Sequence, residues 1–271
     1  MINAKMALIY DFDRTLSPKD MQEFHYIPSL GYDDPGDFWA ECAENTKKNN
    51  IDGILSYMQL MVSKNPSVTR EDLLKEGEYI ELYKGVDSWF DRIDSYGKEH
   101  GIEVEHYVIS SGIKEIIEGT CIADKFKKIY ACSYTYDQNG KAVWPSRVVN
   151  YTAKTQYLFR INKGVLDERN DYDLNRSTPD EEKYIPFENI VYFGDGLTDV
   201  PSMKVVQQQG GSTIAVFGDT NQKKKIAMEL YEDKRATFVA QADYSAGSLI
   251  EKIVMRMIDC IEDRNHLDSL K

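Results

Sequence analysis

The sequence is poor in cysteine, and its cysteines lack the spacing of common metal and redox sites. The 271 residues include four scattered cysteines: Cys42, Cys121, Cys132 and Cys260. No two of them form a CxxC pair, which excludes the usual zinc knuckle and the dithiol redox motif. Reduced thiols are typical of cytoplasmic proteins, so we expect a cytoplasmic location.

Long apolar runs are also missing. The apolar run nearest the start, residues 7–10, is too short for a signal peptide, and no later run approaches the length of a membrane span. The sequence therefore predicts a protein without a membrane anchor.

Basic residues are too few to outnumber the acidic ones. Lysine and arginine total 33 against 45 aspartates and glutamates, which gives a formal net charge of −12. Binding to nucleic acid or to an anionic membrane requires a basic surface, so we expect neither partner. A small anionic substrate is not excluded, because a pocket can carry a local charge opposite to the global one. No protein partner is evident from the sequence.

The remaining composition is that of an ordinary soluble globular protein. Hydrophobic residues make up 42% of the chain and charged residues 29%, so neither disorder nor a fibrous repeat is indicated. The length permits a sizeable core with a smaller appended unit, and we expect two compact units.

Strand and helix patterns alternate along most of the chain. Residues 7–10, 104–109, 129–136, 190–193 and 213–217 have the composition of strands, and Asn139-Gly140 predicts a hairpin turn. Residues 88–100, 113–123 and 152–162 have apolar residues at helical spacing. The alternation predicts an α/β fold, a Rossmann-like and mostly parallel sheet flanked by helices.

Residues 17–83 interrupt this alternation. They contain no convincing buried strand, and their apolar residues suit helices. We therefore predict a small helical domain over residues 17–83, inserted after the first strand. The catalytic core would comprise residues 1–16 and 84–271.

Acidic residues follow two of the predicted strands directly. Asp11 and Asp13 come at the end of the first strand, and Asp195 and Asp199 follow residues 190–193. Buried carboxylates cost free energy unless their charge is compensated. In a parallel sheet the carboxyl ends of strands meet at one edge, where ligands bind. Asp11 and Asp195 would form a hard oxygen site, which is typical of Mg²⁺.

Hydrogen-bond donors occur at the corresponding places of two other elements. Ser110, Ser111 and Gly112 follow residues 104–109, and Lys154 lies near the start of a predicted helix. The Ser110 hydroxyl, the Ser111 amide and the Lys154 ammonium suit the non-bridging oxygens of a phosphate.

Alternatives exist for two of these donors. Ser111 could instead be the cap of the following helix, so we favour Ser110 as the side chain that contacts phosphate. Lys154 could be a surface lysine, because Lys114, Lys141 and Lys163 are also available.

The four clusters together resemble the haloacid dehalogenase superfamily. DFDRT, the strand ending in Ser110, Lys154 and GDGLTD occur in the order of its four motifs, and its phosphatase members use DxDxT and GDxxxD. The insertion over residues 17–83 looks like the C1-type helical cap of that superfamily. The arrangement is similar to the phosphoserine phosphatase branch, in which a glutamate receives the amino group of the substrate. Asp20 stands in approximate register with that glutamate.

The resemblance implies a role for each motif residue. Asp11 would attack phosphorus and form an aspartyl phosphate, while Asp13 would act as general acid and then as general base. Mg²⁺ would be held by the Asp11 carboxylate, the Asp13 main-chain carbonyl and Asp195, and Asp199 would orient waters or ligate directly. Thr15 would orient the motif loop by hydrogen bonding.

The predicted activity is therefore Mg²⁺-dependent hydrolysis of a small phosphate monoester, a phosphorylated metabolite. Ser110, Ser111 and Lys154 would hold the phosphoryl group. Alternatives are a phosphomutase that uses the same aspartyl phosphate and a catalytically silent phosphate-binding regulator. The second aspartate, Asp13, weighs against a dehalogenase and against a silent protein.

Overall fold

A computed structural model describes residues 4–270, and the strands within this range form one sheet. The seven strands are β1 (Ala4–Tyr10), β2 (Ile102–Ile113), β3 (Lys128–Tyr136), β4 (Ala142–Arg147), β5 (Ile190–Gly194), β6 (Ser212–Phe217) and β7 (Phe238–Gln241). Their spatial order is β4-β3-β2-β1-β5-β6-β7. All neighbours are parallel except β3 and β4, which form the predicted antiparallel hairpin.

Helices occupy most of the connections between these strands and follow the last strand. They are α1 (Tyr26–Ser29), α2 (Pro35–Asn49), α3 (Gly53–Lys64), α4 (Arg70–Glu76), α5 (Val86–Glu99), α6 (Lys114–Glu118), α7 (Ala153–Lys163), α8 (Asp171–Asn175), α9 (Val200–Gln208), α10 (Asn221–Glu232) and α11 (Leu249–Asp268). Helix α5 packs against β2 and α11, whereas α9 packs against β5, β6 and α7. The predicted α/β Rossmann-like fold is confirmed. Every helix in the described part of the chain is too short or too polar to cross a membrane.

Strand β1 lies at the centre of the sheet, between β2 and β5. Its residues from Met6 to Tyr10 are completely buried, as expected for a parallel strand that is covered on both faces. Tyr10 pairs with Val108 of β2 and with Phe193 of β5. The carboxyl ends of these three strands are therefore side by side.

Residues 17–83, which we call the helical segment, contribute helices α1 to α4 and no strand of the sheet. Its own apolar interior includes the fully buried Phe38, Met58 and Met61. It also contacts the β3–β4 hairpin, where the Tyr134 hydroxyl donates to the Met58 carbonyl over 2.8 Å. That this segment is a separate cap domain stays a prediction.

The structure differs from the sequence prediction after Ile109. Strand β2 continues to Ile113, with an irregularity in its pairing between Ile109 and Ile113. Helix α6 begins only at Lys114, and Ile113 occupies its cap position. The alternative that Ser111 caps this helix is therefore wrong, because Ser111 lies in a bulge of the strand. The helix is also shorter than predicted, since α6 ends at Glu118.

Candidate active site

Two of the predicted acidic clusters lie together at the carboxyl edge of the sheet. Asp11 follows β1, and its main-chain N–H donates to the Phe193 carbonyl of β5 over 2.9 Å. Asp195 follows β5 directly. Carboxylate oxygens of Asp11, Asp195 and Asp199 all lie within 4.8 Å of one another. The parallel pairing of β1 and β5 accounts for this cluster.

The Asp11 carboxylate is held at both oxygens. Its Oδ1 accepts from the Phe12 main-chain N–H over 2.8 Å, and its Oδ2 lies 2.8 Å from the Lys154 ammonium. Burial raises the pKa of Asp11 to about 7; Lys154 opposes this rise, and Asp199 adds to it. Asp195 has a raised pKa for similar reasons, burial first and then the charge of Asp199, with Lys223 acting in the opposite direction.

Lys154 is completely buried between two carboxylates. Its Nζ lies 2.8 Å from Asp11 Oδ2 and donates to Asp199 Oδ1 over 2.7 Å. Burial disfavours the charge of Lys154, but Asp11 and Asp199 outweigh it and raise the pKa of the ammonium. Lys163 of the same helix donates instead to the carbonyls of Leu174 and Arg176. Of the two lysines, Lys154 is the one in the cluster.

Asp199 has protein donors at both oxygens. Besides Lys154, the Tyr192 hydroxyl donates to Oδ1 over 2.7 Å, and the Gly196 N–H donates to Oδ2 over 3.4 Å. A Cβ at Gly194 would lie 2.5 Å from Asp199 Oδ2, so glycine is required for this close approach. These contacts favour a role for Asp199 in holding Lys154.

Asp13 lies beside the β2 bulge. Its Oδ1 accepts from the Met21 N–H over 2.8 Å, and a Cβ at Gly112 would lie 3.0 Å from its Oδ2. Burial raises the pKa of Asp13 well above its usual range, and the charges of Asp20 and Asp11 add to the rise. A raised pKa suits a general acid, which must hold a proton near neutral pH, and its main cause at Asp13 is burial and not the neighbouring carboxylates.

The two serines lie in the β2 bulge and line the same cavity as Asp11. Ser110 is 1% exposed, and its Oγ accepts from the Gly112 N–H over 3.0 Å. The Ser111 carbonyl accepts from the Tyr57 hydroxyl of α3 over 2.5 Å. Among residues 4–270, no group forms a hydrogen bond with the buried Ser111 hydroxyl. Bulges of this kind redirect side chains next to active sites.

The cavity has a volume of about 390 Å³, within the range of small-molecule sites. Its wall includes Asp11, Asp13, Ser110, Ser111 and Asp195. A larger cavity of about 700 Å³ lies beneath α11 and contains none of the predicted site residues.

The chain matches no protein-family profile. An uncharacterized protein of Borreliella burgdorferi is 27% identical over 286 residues, which cover 93% of this chain and 96% of that protein. A phosphoserine phosphatase structure in the apo form is 20% identical, with a TM-score of 0.52, over 87% of this chain and 92% of that one. A HAD family hydrolase from Salmonella enterica serovar Typhi is 16% identical, with a TM-score of 0.52, over 79% and 62% of the two chains.

The chain shares its fold with these two hydrolase structures. The predicted relation to the phosphoserine phosphatase branch is confirmed at the level of the fold.

Thr15 of the DFDRT motif forms its hydrogen bonds through the main chain. The Thr15 hydroxyl is completely buried and has no hydrogen-bond partner within residues 4–270. The motif loop is instead held through the main chain of Thr15, whose N–H donates to the Phe12 carbonyl and whose carbonyl accepts from the Tyr244 hydroxyl. Thr15 therefore orients the loop through its main chain and not through its hydroxyl.

The residues at this edge fit the divalent cation that the sequence resemblance implies. Asp11 and Asp195 are buried acids with raised pKa values, which a bound cation would lower. The Asp195 Oδ1 accepts no hydrogen bond from the described residues, whereas Lys223 occupies Oδ2. Carboxylate oxygens are the ligands that Mg²⁺ prefers. Asp11 and Asp195 would hold the ion.

The polar side chains at the site that the sequence analysis missed include Arg14, Lys223 and Tyr57. Arg14 and Lys223 line the cavity, and Tyr57 contacts the bulge from the helical segment. Arg14 lies inside the quoted motif DFDRT, so its position was a usable signal. Lys223 is the first of three consecutive lysines, and nothing local distinguishes it from the next two.

Proposed function

We propose that the chain is a magnesium-dependent phosphatase that hydrolyses a small phosphate monoester through an aspartyl phosphate on Asp11. One observation carries this proposal. The Asp11 carboxylate lines a cavity with Lys154 bound to one of its oxygens, with Asp195 beside it, and with Ser110 on the neighbouring strand. This arrangement combines a nucleophile, a cation site and phosphate donors in one place.

In the first step, an oxygen of Asp11 forms a bond to phosphorus, and the bond from phosphorus to the leaving alcohol breaks. The Phe12 N–H and the Lys154 ammonium fix the orientation of the attacking carboxylate. A bound Mg²⁺ would neutralise the repulsion between this carboxylate and the phosphate. Ser110 and Lys154 stabilise the charge on the phosphoryl oxygens.

Asp13 moves the protons. It protonates the oxygen of the leaving alcohol in the first step. In the second step it accepts a proton from the water that attacks phosphorus, and the bond between phosphorus and Asp11 breaks. Its carboxylate position is fixed by the Met21 N–H, which keeps it next to the cavity.

The test is hydrolysis of p-nitrophenyl phosphate by the purified chain, with Mg²⁺ or with EDTA. We expect Asp11→Asn to lower kcat by more than about a thousandfold, because it removes the nucleophile. Asp33→Asn is the matched control, since Asp33 is exposed in the turn before α2. Full turnover by Asp11→Asn, or equal rates with Mg²⁺ and EDTA, would contradict the proposal.

A further inference from the structure

Two cavities meet at a pair of cations beside the active site. The site cavity of about 390 Å³ adjoins a second cavity of about 550 Å³. Both are lined by Arg14, Lys223 and Ile226. The second cavity, which we call the adjoining cavity, is further lined by Pro18, Tyr83, Gly218, Asp219, Thr220 and Gln222. A group that leaves the phosphorus near Asp11 can therefore extend past two positive charges.

Arg14 is held in a fixed position at this boundary. Its Nε donates to one oxygen of Asp20 over 2.9 Å, and its Nη2 donates to the other over 2.8 Å. Glu23 Oε1 lies 3.6 Å from Nη2. The backbone of Arg14 has a φ of 58°, in the left-handed region that non-glycine residues rarely adopt. Such a conformation persists only when the surroundings determine it.

The pairing with Arg14 changes what Asp20 can do. Both Asp20 oxygens accept from one guanidinium, so its charge is already paired. The resemblance offered Asp20 as a receptor for the amino group of a substrate. In the structure Asp20 instead holds the Arg14 guanidinium, and Arg14 lines both cavities.

Lys223 provides the second positive charge. It lies in the first turn of α10, and its Nζ donates to Asp195 Oδ2 over 2.8 Å. An ammonium has three donors, and Asp195 takes one. Its side chain is 29% exposed, so the ammonium is only partly withdrawn from the cavities.

Asp219, an acidic residue on the far wall, forms no ion pair with either cation among residues 4–270. Asp219 is exposed, and its Oδ1 accepts from the Gln241 side chain over 2.8 Å. It lines the adjoining cavity but not the site cavity. The boundary between the two cavities is therefore formed by Arg14 and Lys223.

We propose that the alcohol released from this substrate carries a second anionic group, a carboxylate or a second phosphate, which Arg14 and Lys223 bind. The inference rests on the proposed phosphatase activity. The planar guanidinium of Arg14 and the ammonium of Lys223 both donate charge-assisted hydrogen bonds to such oxygens. Arg14 and Lys223 keep N–H donors beyond those given to Asp20 and Asp195, whereas a substrate ammonium at this place would compete with Arg14 for the Asp20 oxygens.

The test compares four phosphate esters that differ only at the far end of a two-carbon alcohol. They are 2-phosphoglycolate, ethylene glycol bisphosphate, 2-hydroxyethyl phosphate and O-phosphoethanolamine. We expect kcat/KM for at least one of the two doubly anionic esters to exceed that for the hydroxyl ester by about tenfold or more. The amine should be the poorest substrate. Comparing phosphoglycolate with the bisphosphate distinguishes a carboxylate from a second phosphate.

Variants connect this preference to the two residues. Arg14→Gln and Lys223→Gln should each lower the ratio of kcat/KM for the anionic ester to that for the hydroxyl ester by about tenfold. The ratio is the relevant quantity, because damage to folding or to the cation site lowers both values alike. Lys224→Gln is the matched control, since this neighbour is exposed and does not line either cavity.

Two outcomes would overturn the inference in distinguishable ways. If p-nitrophenyl phosphate is hydrolysed but the hydroxyl or amine ester is preferred, the anion site is wrong and the phosphatase proposal stands. If the ratio of kcat/KM values is unchanged in both Arg14→Gln and Lys223→Gln, the anion site is likewise wrong and the phosphatase proposal stands. If p-nitrophenyl phosphate and all four esters are inert, both proposals fail together.

Discussion

Two clusters at opposite ends of the same strands differ in how their buried carboxylates are paired. The amino-end cluster consists of Lys5, Glu105, Tyr107, Lys127 and Tyr184. The carboxyl-end cluster consists of Asp11, Asp13, Lys154, Asp195 and Asp199. In the first, several donors converge on Glu105, whereas the second has four acids around Lys154, and Lys223 binds one of them, Asp195, from the edge.

In the amino-end cluster every Glu105 oxygen has a donor. Oε1 accepts from Lys127 over 2.6 Å, from Tyr184 over 2.6 Å and from Lys5 over 3.2 Å, and Oε2 accepts from the Tyr107 hydroxyl. Burial acts to raise the pKa of Glu105, but the hydrogen bonds led by that of Lys127 outweigh it and lower the pKa. This carboxylate is stable as an anion.

The carboxyl-end cluster shows the opposite balance. Burial outweighs Lys154 at Asp11 and outweighs Lys223 at Asp195, so both acids have raised pKa values. Burial alone therefore does not identify the functional end of the sheet, since Glu105 is 4% exposed and Asp11 7%. The distinguishing property is a deficit of positive charge, which a proton or a divalent cation can supply.

Apart from the loss of the nucleophile itself, the largest effect should follow from removing Lys154, the cation at the centre of the carboxyl-end cluster. Lys154→Met preserves most of the side-chain volume but leaves Asp11 and Asp199 without their shared ammonium. We expect kcat for p-nitrophenyl phosphate to fall by about 10²- to 10³-fold, the usual cost of losing a preorganised donor to the transition state.

Lys163→Met is the matched control for this variant, because Lys163 lies on the same helix and donates only to main-chain carbonyls among residues 4–270. Melting temperatures of both variants with Mg²⁺ would separate a loss of folding from a loss of chemistry. Equal kcat values for the folded Lys154→Met and Lys163→Met variants would show that Lys154 has no role in turnover.

A smaller effect concerns the free energy of unfolding. Replacing a buried carboxylate by its amide should lower this free energy in the amino-end cluster and raise it in the carboxyl-end cluster. Glu105→Gln should reduce the free energy of unfolding at about pH 7 by about 1–3 kcal/mol, because charged donors lose their partner. The pKa of Glu105 is lowered in the folded chain, so this stabilisation is present above about pH 4.3, the unfolded value, and is lost as the pH falls further.

When Mg²⁺ is removed by EDTA, Asp11→Asn should instead raise the free energy of unfolding relative to the wild type at about pH 8. The folded pKa of Asp11 is raised to about 7, so the wild type loses stability as the pH rises from about 4 towards 7, and the asparagine variant does not. Urea unfolding at about pH 5 and about pH 8 measures both variants. If both variants are less stable than the wild type at the higher pH, the contrast between the clusters is wrong.

Much of the carboxyl-end cluster was predictable from sequence. Apolar runs that end in Asp11 and Asp195 are local signals, and parallel strands place their carboxyl ends at one edge of the sheet. The positions of Ser110 and Lys154 follow from the same rule. Ser110 lies near the carboxyl end of a strand, and Lys154 lies in the first turn of a helix that begins at that edge. The fold class was predictable for the same reason, since it depends on the alternation of strands and helices.

Contacts between distant parts of the chain were not predictable. Lys223 reaches Asp195 from a helix that the sequence analysis did not assign, and Tyr57 reaches Ser111 from the helical segment. No local sequence pattern indicates either contact. Glu105 was overlooked for another reason. A charged residue in a predicted strand suggests an exposed position, and the donors that allow Glu105 to be buried lie in distant parts of the chain.

The smallest effect that we expect at the carboxyl end concerns one peptide unit of the β2 bulge, between Ser111 and Gly112. Its carbonyl accepts from the Tyr57 hydroxyl over 2.5 Å, and its N–H donates to Ser110 Oγ over 3.0 Å. Tyr57 therefore fixes the peptide that in turn orients the Ser110 hydroxyl. Tyr57→Phe keeps the ring and should lower kcat about three- to tenfold, the worth of one neutral hydrogen bond.

Tyr134→Phe is the control for this variant, because the Tyr134 hydroxyl also joins the helical segment to the sheet, through the Met58 carbonyl, without touching the bulge. Both variants should lose a similar amount of stability, since each loses one buried hydrogen bond. Only Tyr57→Phe should lose turnover if the bulge positions the phosphate donor. Equal kcat values would mean that Tyr57 supports packing alone and that the bulge keeps its geometry without it.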